Sequence, residues 1–387
     1  MPEFNMPISF IGRPYAEKRF CQIVNHAFAN NPFYRRFYAS VPDVPLLTRE
    51  ILQEHNDELL NGHAVTGKTS GATSVPVCIH WAPPRAKLEG RDSSNYAEWF
   101  GGRLPNMKIV ALTAHKASEN TLEVASKVPV QLQFIQRQMD ERGVRSLISY
   151  PTNLEQLAQH LIQAGQQIVA LQRIVCMSEL FEPSQEALIR QAFPNAQIAA
   201  TYSSTEVGMI AGRCPHNPEN YHMMAHKLGI EFLNAEGQPC RQGEVGQIVI
   251  TDYANRKMPL IRYAIGDLAA PISCHCGKIP LPALTNLLGK QRGILKHPNG
   301  GNVFSTELSA EIRDTPGIRQ FQVIQRSTTR IQLRLIARPD AVMAEAEQGL
   351  RALFERVFGQ ALQLDFDWCD EIPRLPGGKY MEFIELS

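Results

Sequence analysis

The chain has 387 residues, 44% apolar and 20% charged, with a formal net charge of +1; that length suits two or more domains rather than one compact core. The near-zero charge excludes the basic footprint of a nucleic-acid or anionic-membrane binder, and no apolar run approaches the roughly 20 residues of a membrane span. Without a basic region followed by an apolar stretch at the start, the eight cysteines point to a reducing cytoplasm, not to a secreted disulfide scaffold.

In chain order, the pattern predicts helix from Arg13 to Ser40, through the aromatic-basic cluster Asn31 to Tyr38, and again from Thr48 to Leu60. A polar, small-residue run from Thr66 to Ser74 leads into Val75 to Trp81, whose β-branched residues read as a strand. Met107 to Thr113 and Val144 to Tyr150 read as buried strands, Leu154 to Ala164 as a helix, and Ile168 to Cys176 as a strand. Glu186 to Phe193 is helical and Gln197 to Tyr202 again a strand. This alternation argues for an α/β core with parallel pairing. From Gly229 to Thr251 antiparallel strands are expected, with a turn at Asn234 to Gly237. After Gly289 come a hairpin, a helix from Thr306 to Arg313, two strands, a helix from Val342 to Phe358 and a last strand. The fold class is therefore α/β: a large multi-sheet N-terminal domain with helices packed on mixed sheets (1–288), a hinge (289–293) and a small α+β C-terminal domain (294–387).

Gly62 to Thr69 spells the phosphate loop of nucleotide hydrolases. That loop needs a buried strand before it and a helix after it. Here a polar helical stretch precedes, and Val75-Pro76-Val77 follows, where proline and β-branching oppose a helix. A better phosphate turn starts at Thr69. The hydroxyls of Thr69, Ser70, Thr73 and Ser74 can wrap phosphate oxygens, and Gly71 lets the backbone come close.

Further segments follow in order: Tyr202-Ser203-Ser204-Thr205-Glu206, then Met258-Pro259-Leu260-Ile261-Arg262-Tyr263-Ala264-Ile265-Gly266-Asp267. Gly289-Lys290-Gln291-Arg292-Gly293 and Pro373-Arg374-Leu375-Pro376-Gly377-Gly378-Lys379 complete the set. With the Thr69 loop they resemble the motifs of the adenylate-forming superfamily, most closely its phenylacetate–CoA ligase-like branch. The N-terminal Pro32-Phe33-Tyr34-Arg35 and the Ser178-Glu179 turn are similar to that branch too. The chain departs from the pattern at Ala72, Ser74 and Val77, where threonine, glycine and lysine are usual, at Ser203 for glycine, and at Lys290 and Arg292 in the hinge. The loop is thus stiffer and one positive charge poorer.

The resemblance implies ATP-dependent activation of a carboxylic acid as its adenylate, with Mg²⁺, and transfer to CoA. It places Thr69, Ser70, Gly71, Thr73, Ser178, Glu179, Tyr202, Ser203, Ser204, Asp267 and Lys290 around ATP. The chemistry suits these residue types. Charge spreads over non-bridging oxygens as pyrophosphate leaves, so cations and donors are needed rather than a nucleophile. Glu206 can hold Mg²⁺, Thr205 can bond the α-phosphate, and Asp267 can accept from both ribose hydroxyls. Lys379 would place a point charge between carboxylate and α-phosphate.

Cys214 and His222 lie eight apart, and Cys274-His275-Cys276-Gly277 follows. Three thiolates and an imidazole fit a closed structural Zn²⁺ site, with His216 and His275 as competing donors. Some phenylacetate–CoA ligase-like proteins show a similar spacing. Trp81, Tyr150 and Met209 fall near the expected acyl pocket, and an apolar slot of that kind suits a flat aromatic acid.

CoA is the expected acceptor, and the altered hinge leaves an amine or a partner enzyme open instead. Similar lengths occur among relatives in antibiotic and pigment pathways, such as those acting on phenazine acids. The oligomeric state, a homodimer included, is left open. Two other classes stay beside the ligase: a non-catalytic ATP or aryl-acid binder, and a P-loop ATPase using Gly62 to Thr69.

Overall fold

The computed structural model describes residues 7, 9, 13–38, 43–69, 76–102, 108–114, 116–290, 294–339, 341–359, 362–374 and 380–385. Proline stands in the first turn of the helices Pro14–Asn30, Pro32–Phe37, Pro83–Trp99, Val128–Arg142, Pro151–Gln163 and Pro183–Ala192. There its missing N–H costs no bond and its fixed φ is already helical.

The helix expected from Arg13 to Ser40 is divided. Asn31, held extended by the following proline, separates Pro14–Asn30 from Pro32–Phe37, and its side chain caps the second helix by accepting the Phe33 N–H at 2.9 Å. The stretch from Thr48 to Leu60 divides at His55 into Arg49–Glu54 and Asn56–Leu60. The helices Pro83–Trp99 and Val128–Arg142 carry no clean apolar stripe. The first buries Arg85 and Asp92 beside Tyr96; the second buries Gln131 and Gln138 among its apolar residues. Polar inward faces hide a helix from a hydrophobic-period reading.

An eleven-stranded sheet forms the centre. Thr121–Glu123, Ile109–Thr113, Ser146–Ser149, Arg173–Cys176 and Gln197–Ser204 run parallel in that order. At Gln197–Ser204 the sense reverses, because Gly208–Arg213 returns antiparallel beside it. Tyr221–Met223, Ala283–Lys290, Tyr263–Ile272, Gly246–Asp252 and Leu228–Leu233 continue antiparallel to the edge. The turn at Asn234 to Gly237 closes with the Gly237 N–H on the Asn234 carbonyl at 3.0 Å.

Two apolar clusters flank this sheet, one on its antiparallel side from Phe20 to Leu284, one on its parallel side from Val110 to Ala200. A third runs from Leu295 to Phe383 and stays within the C-terminal residues. There a four-stranded sheet, ordered Gln363–Trp368, Arg330–Ala337, Ile318–Ser327 and Phe383–Glu385, packs with the helices Ser305–Asp314 and Met343–Phe358. The expected last strand is thus two, each parallel to its neighbour. No helix among the described residues is long and apolar enough to cross a membrane.

The two parts meet through charge. Arg313 of the small part reaches Glu155 at 2.9 Å and Glu182 at 3.2 Å on the large part, and also pairs with its own neighbour Glu382. Ser309 donates to Glu182 at 2.8 Å.

Candidate functional site

Ligands of open sheets bind outside the carboxyl ends of parallel strands. Three such ends lie side by side: Ser149 leading to Tyr150, Cys176 leading to Ser178 and Glu179, and Ser204 leading to Thr205 and Glu206. The last is the turn into Gly208–Arg213. Ser204 Oγ accepts the Val207 N–H at 3.2 Å, and Gly208 adopts a φ of 67°, where a Cβ would collide with Glu89. The sharp turn leaves Thr205 exposed, with its methyl group 3.4 Å from where a Cβ on Gly67 would stand.

Glu206 is buried. Its Oε1 accepts from Arg49 Nη1 at 2.7 Å and from the Tyr263 hydroxyl at 3.1 Å, and its main-chain oxygen accepts the Trp81 indole N–H at 3.2 Å. Arg49 Nη2 donates to Thr69 Oγ1 at 3.1 Å, and the same hydroxyl accepts the Val77 N–H at 2.9 Å. Gly67 and Lys68 pair antiparallel with Ile79 and Cys78, so Gly62 to Thr69 is not the strand-to-helix phosphate loop of a hydrolase. Tyr202 donates to Asp267 Oδ2 at 2.7 Å, both groups buried, and burial beside that carboxylate holds the phenol well above its usual pKa.

Beneath the turn lies a charged core that no motif marks. Arg85, fully buried, bonds Asp252 at 2.8 Å, Glu89 at 2.9 Å and the Val207 carbonyl at 2.5 Å. Glu89 accepts the Met209 N–H at 2.5 Å, and Lys227 pairs with Glu89 at 2.6 Å and Asp92 at 2.7 Å. Both sides of the Glu206 turn are thereby fixed to the helix Pro83–Trp99. Removing one partner of such a buried set costs about 3–5 kcal/mol, since it strands the others.

Cys214, His222, Cys274 and Cys276 bring one donor atom each to within 4.8 Å of one another. The Cys274 and Cys214 sulfurs are 3.9 Å apart, close to the roughly 3.8 Å edge of a tetrahedron with Zn–S bonds of about 2.3 Å. Cys276 Sγ lies 3.5 Å from His222 Nε2, while His222 Nδ1 faces the Leu281 carbonyl at 3.0 Å. That bond fixes the tautomer that leaves Nε2 free for a metal. Backbone N–H groups of Lys278 and Ile279 draw the Cys276 thiol down to about 6, whereas burial pushes Cys214 up to about 11. The donor set fits a closed zinc site.

The C-terminal residues 295–385 match the family model of the CapK C-terminal domain. The chain is 22% identical to a phenylacetate-coenzyme A ligase of Thermus thermophilus, across 97% of this chain and 96% of that one. It superposes on 2-hydroxyisobutyryl-CoA ligase in the postadenylation state, in complex with R3-HIB-AMP, with a TM-score of 0.75 at 15% identity, covering 99% of this chain and 91% of the other. In fold the chain is similar to adenylate-forming enzymes, and in sequence to a phenylacetate-coenzyme A ligase. Against 2-hydroxyisobutyryl-CoA ligase in the thioesterification state, at 15% identity and the same coverage, the TM-score is 0.57. The amide bond synthetase McbA from Marinactinospora thermotolerans gives 0.57 at 17% identity, over 80% of this chain and 65% of that one.

Thr69, Tyr202, Thr205, Glu206 and Asp267 stand around one turn. Ser203 and Ser204 are half-buried beside them, and Ser178 holds a φ of 66° at the neighbouring strand end. Glu179 is held by donors from the protein itself. It accepts from Thr152 N at 3.1 Å and Oγ1 at 2.7 Å, and from Arg374 Nη1 at 3.2 Å and Tyr380 N at 2.6 Å. Burial pushes its carboxyl up, against the lowering effect of Arg374 and these donors. Ser70, Gly71, Thr73, Lys379 and the hinge residues Gln291, Arg292 and Gly293 lie outside the described residues. Lys290 is described by its backbone, which pairs with Asp267.

The three expected acyl-pocket residues sit in different surroundings. Trp81 packs against the cluster that holds Tyr202, under Arg85 at 4.9 Å. Met209 packs with Tyr96 and Phe100 in another cluster. Tyr150 accepts the Ala114 N–H at 3.3 Å, with Arg374 over its ring. Arg49, Arg85 and Glu89 were invisible to motif reading. An arginine opening a short helix after Thr48 is an ordinary surface pattern until the fold turns it inward.

Proposed function

We propose that this chain is an ATP-dependent ligase that activates a small carboxylic acid as its adenylate and passes the acyl group to CoA. One observation carries this reading: Glu206, Thr69 and Asp267, from three distant motifs, converge on one turn at the carboxyl end of the sheet, bridged by Arg49, Tyr263 and Tyr202. Bound Mg²⁺–ATP supplies the electrophilic α-phosphorus and the pyrophosphate leaving group. Glu206 would hold the metal through oxygen, and Thr205, exposed on the turn, would donate to the phosphate. Asp267, held by the Tyr202 hydroxyl at 2.7 Å, would accept from ribose hydroxyls. Lys379 would neutralise charge where the acid oxygen meets phosphorus.

An aromatic acid is the substrate class that the half-buried Trp81, packed against the cluster that holds Tyr202, supports best, and a place in secondary metabolism such as antibiotic assembly is part of this reading. The higher TM-score against a postadenylation state supports a domain arrangement suited to the first half-reaction. A cysteine–histidine site holding structural Zn²⁺ completes the proposal; it would tie the Cys214 and Cys274 loops together without an open position for chemistry.

ATP–pyrophosphate exchange across a panel of aryl and alkyl acids tests this. Acid-dependent exchange is expected, strongest with an aromatic acid. ATP hydrolysis without acid would make the chain an ATPase, and ATP binding without exchange would make it a binder. An acyl-adenylate consumed by an amine rather than CoA would move the acceptor towards the amide synthetases.

A further inference from the structure

We propose, on the ligase reading above, that Arg49 is a phosphate ligand of the nucleotide site: it joins Glu206 to Thr69 and is placed to reach the β- and γ-phosphates of Mg²⁺–ATP. Its side chain is 12% exposed. One Nη meets the Glu206 carboxylate at 2.7 Å, the other the Thr69 hydroxyl at 3.1 Å. Nε is buried and has no hydrogen-bond partner among the described residues. A guanidinium carries five donors in a rigid fork matched to paired oxygens, and this one is left incompletely used.

The physical argument is charge balance. Arg49 and the Glu206 carboxylate neutralise each other across a 2.7 Å contact. If Glu206 held Mg²⁺, the guanidinium 2.7 Å from its Oε1 would face a like charge and would need anionic oxygens of its own. A polyphosphate would relieve that repulsion, because its several anionic oxygens could accept from Arg49 and balance the cation as well. AMP, with one phosphate, offers no such bridge. The neighbouring Val75-Pro76-Val77 brings no cation, and Lys68 on the adjoining strand is exposed. Arg49, drawn from the helix Arg49–Glu54, is therefore placed to supply positive charge between the Thr69 loop and Glu206.

Calorimetric binding to Arg49→Gln and Arg49→Lys tests this without any acid substrate. Dissociation constants are measured for Mg²⁺–ATP, Mg²⁺–pyrophosphate and AMP, with thermal unfolding alongside. In Arg49→Gln, ATP and pyrophosphate affinities should fall at least about tenfold while AMP stays within about twofold. Arg49→Lys should recover part of the loss, because it keeps the charge. Equal weakening of ATP and AMP, or an unchanged ATP affinity, overturns the proposal. So does an Arg49→Lys protein as poor as Arg49→Gln with the same fall in melting temperature, since Arg49 is then a structural clip. Wild-type protein that binds ATP but shows no acid-dependent exchange would end the ligase reading alone, and the binding comparison would still decide the role of Arg49.

Discussion

Glu179 of the large domain accepts both the guanidinium of Arg374 at 3.2 Å and the backbone N–H of Tyr380 at 2.6 Å. In sequence these two donors flank Lys379, so one carboxylate ties both Arg374 and Tyr380 to the end of the strand Arg173–Cys176. Glu179→Gln should cut acid-dependent pyrophosphate exchange by about tenfold or more with ATP affinity unchanged. Arg374→Ala should fall likewise, and the double variant should lose little more than either single one. A fall in ATP affinity for Glu179→Gln would instead return Glu179 to the nucleotide site.

Lys379→Ala should abolish adenylate formation while leaving ATP binding nearly intact, because a point charge at the reacting oxygens is worth roughly a few kcal/mol in the transition state alone. Exchange within about tenfold of wild type would remove Lys379 from that role. Thioester formation started from synthetic adenylate should suffer less.

One tightly bound zinc per chain is expected in protein purified without added metal. Elemental analysis decides it. Cys276→Ser should lower the zinc content, and chelation should lower the melting temperature, since metal binding is coupled to folding. Substoichiometric zinc unaffected by Cys276→Ser would sink the site.

A hinge within Gly289 to Gly293 should be stiffened by Gln291→Pro or Arg292→Pro. If the trapped state is the adenylating one, pyrophosphate exchange should persist while acyl transfer falls. Both half-reactions unchanged in both variants would put the hinge elsewhere.

The contact between domains should be pH-sensitive. Burial pushes Glu155 up to about 7, with Glu382 and Glu182 adding like charge and Arg313 opposing. Unfolded, the carboxyl releases its proton near pH 4.3; folded, it holds it longer. The stabilising contribution is full below that unfolded value and is lost as pH rises through about 7, on the order of 1–3 kcal/mol. The melting temperature of wild type should fall across this window, and that of Glu155→Gln should fall less. Equal slopes would show that another group controls it.

The sequence by itself determined what repeats locally or must be spelled in order. The β-branched strands, the Tyr202 to Glu206 motif and the paired cysteine segments are readable because residue order and donor type are properties of neighbouring residues. Only the tertiary structure decided which charges face inward. The helix Pro83–Trp99 buries Arg85 and Asp92, whose partners Asp252 and Lys227 lie far along the chain. Arg49 meets Glu206 across 157 positions, and Glu179 meets Tyr380 across 201. Burial of a charge is favourable only where an opposite charge or a donor set waits, and no local pattern records a partner that folding alone delivers.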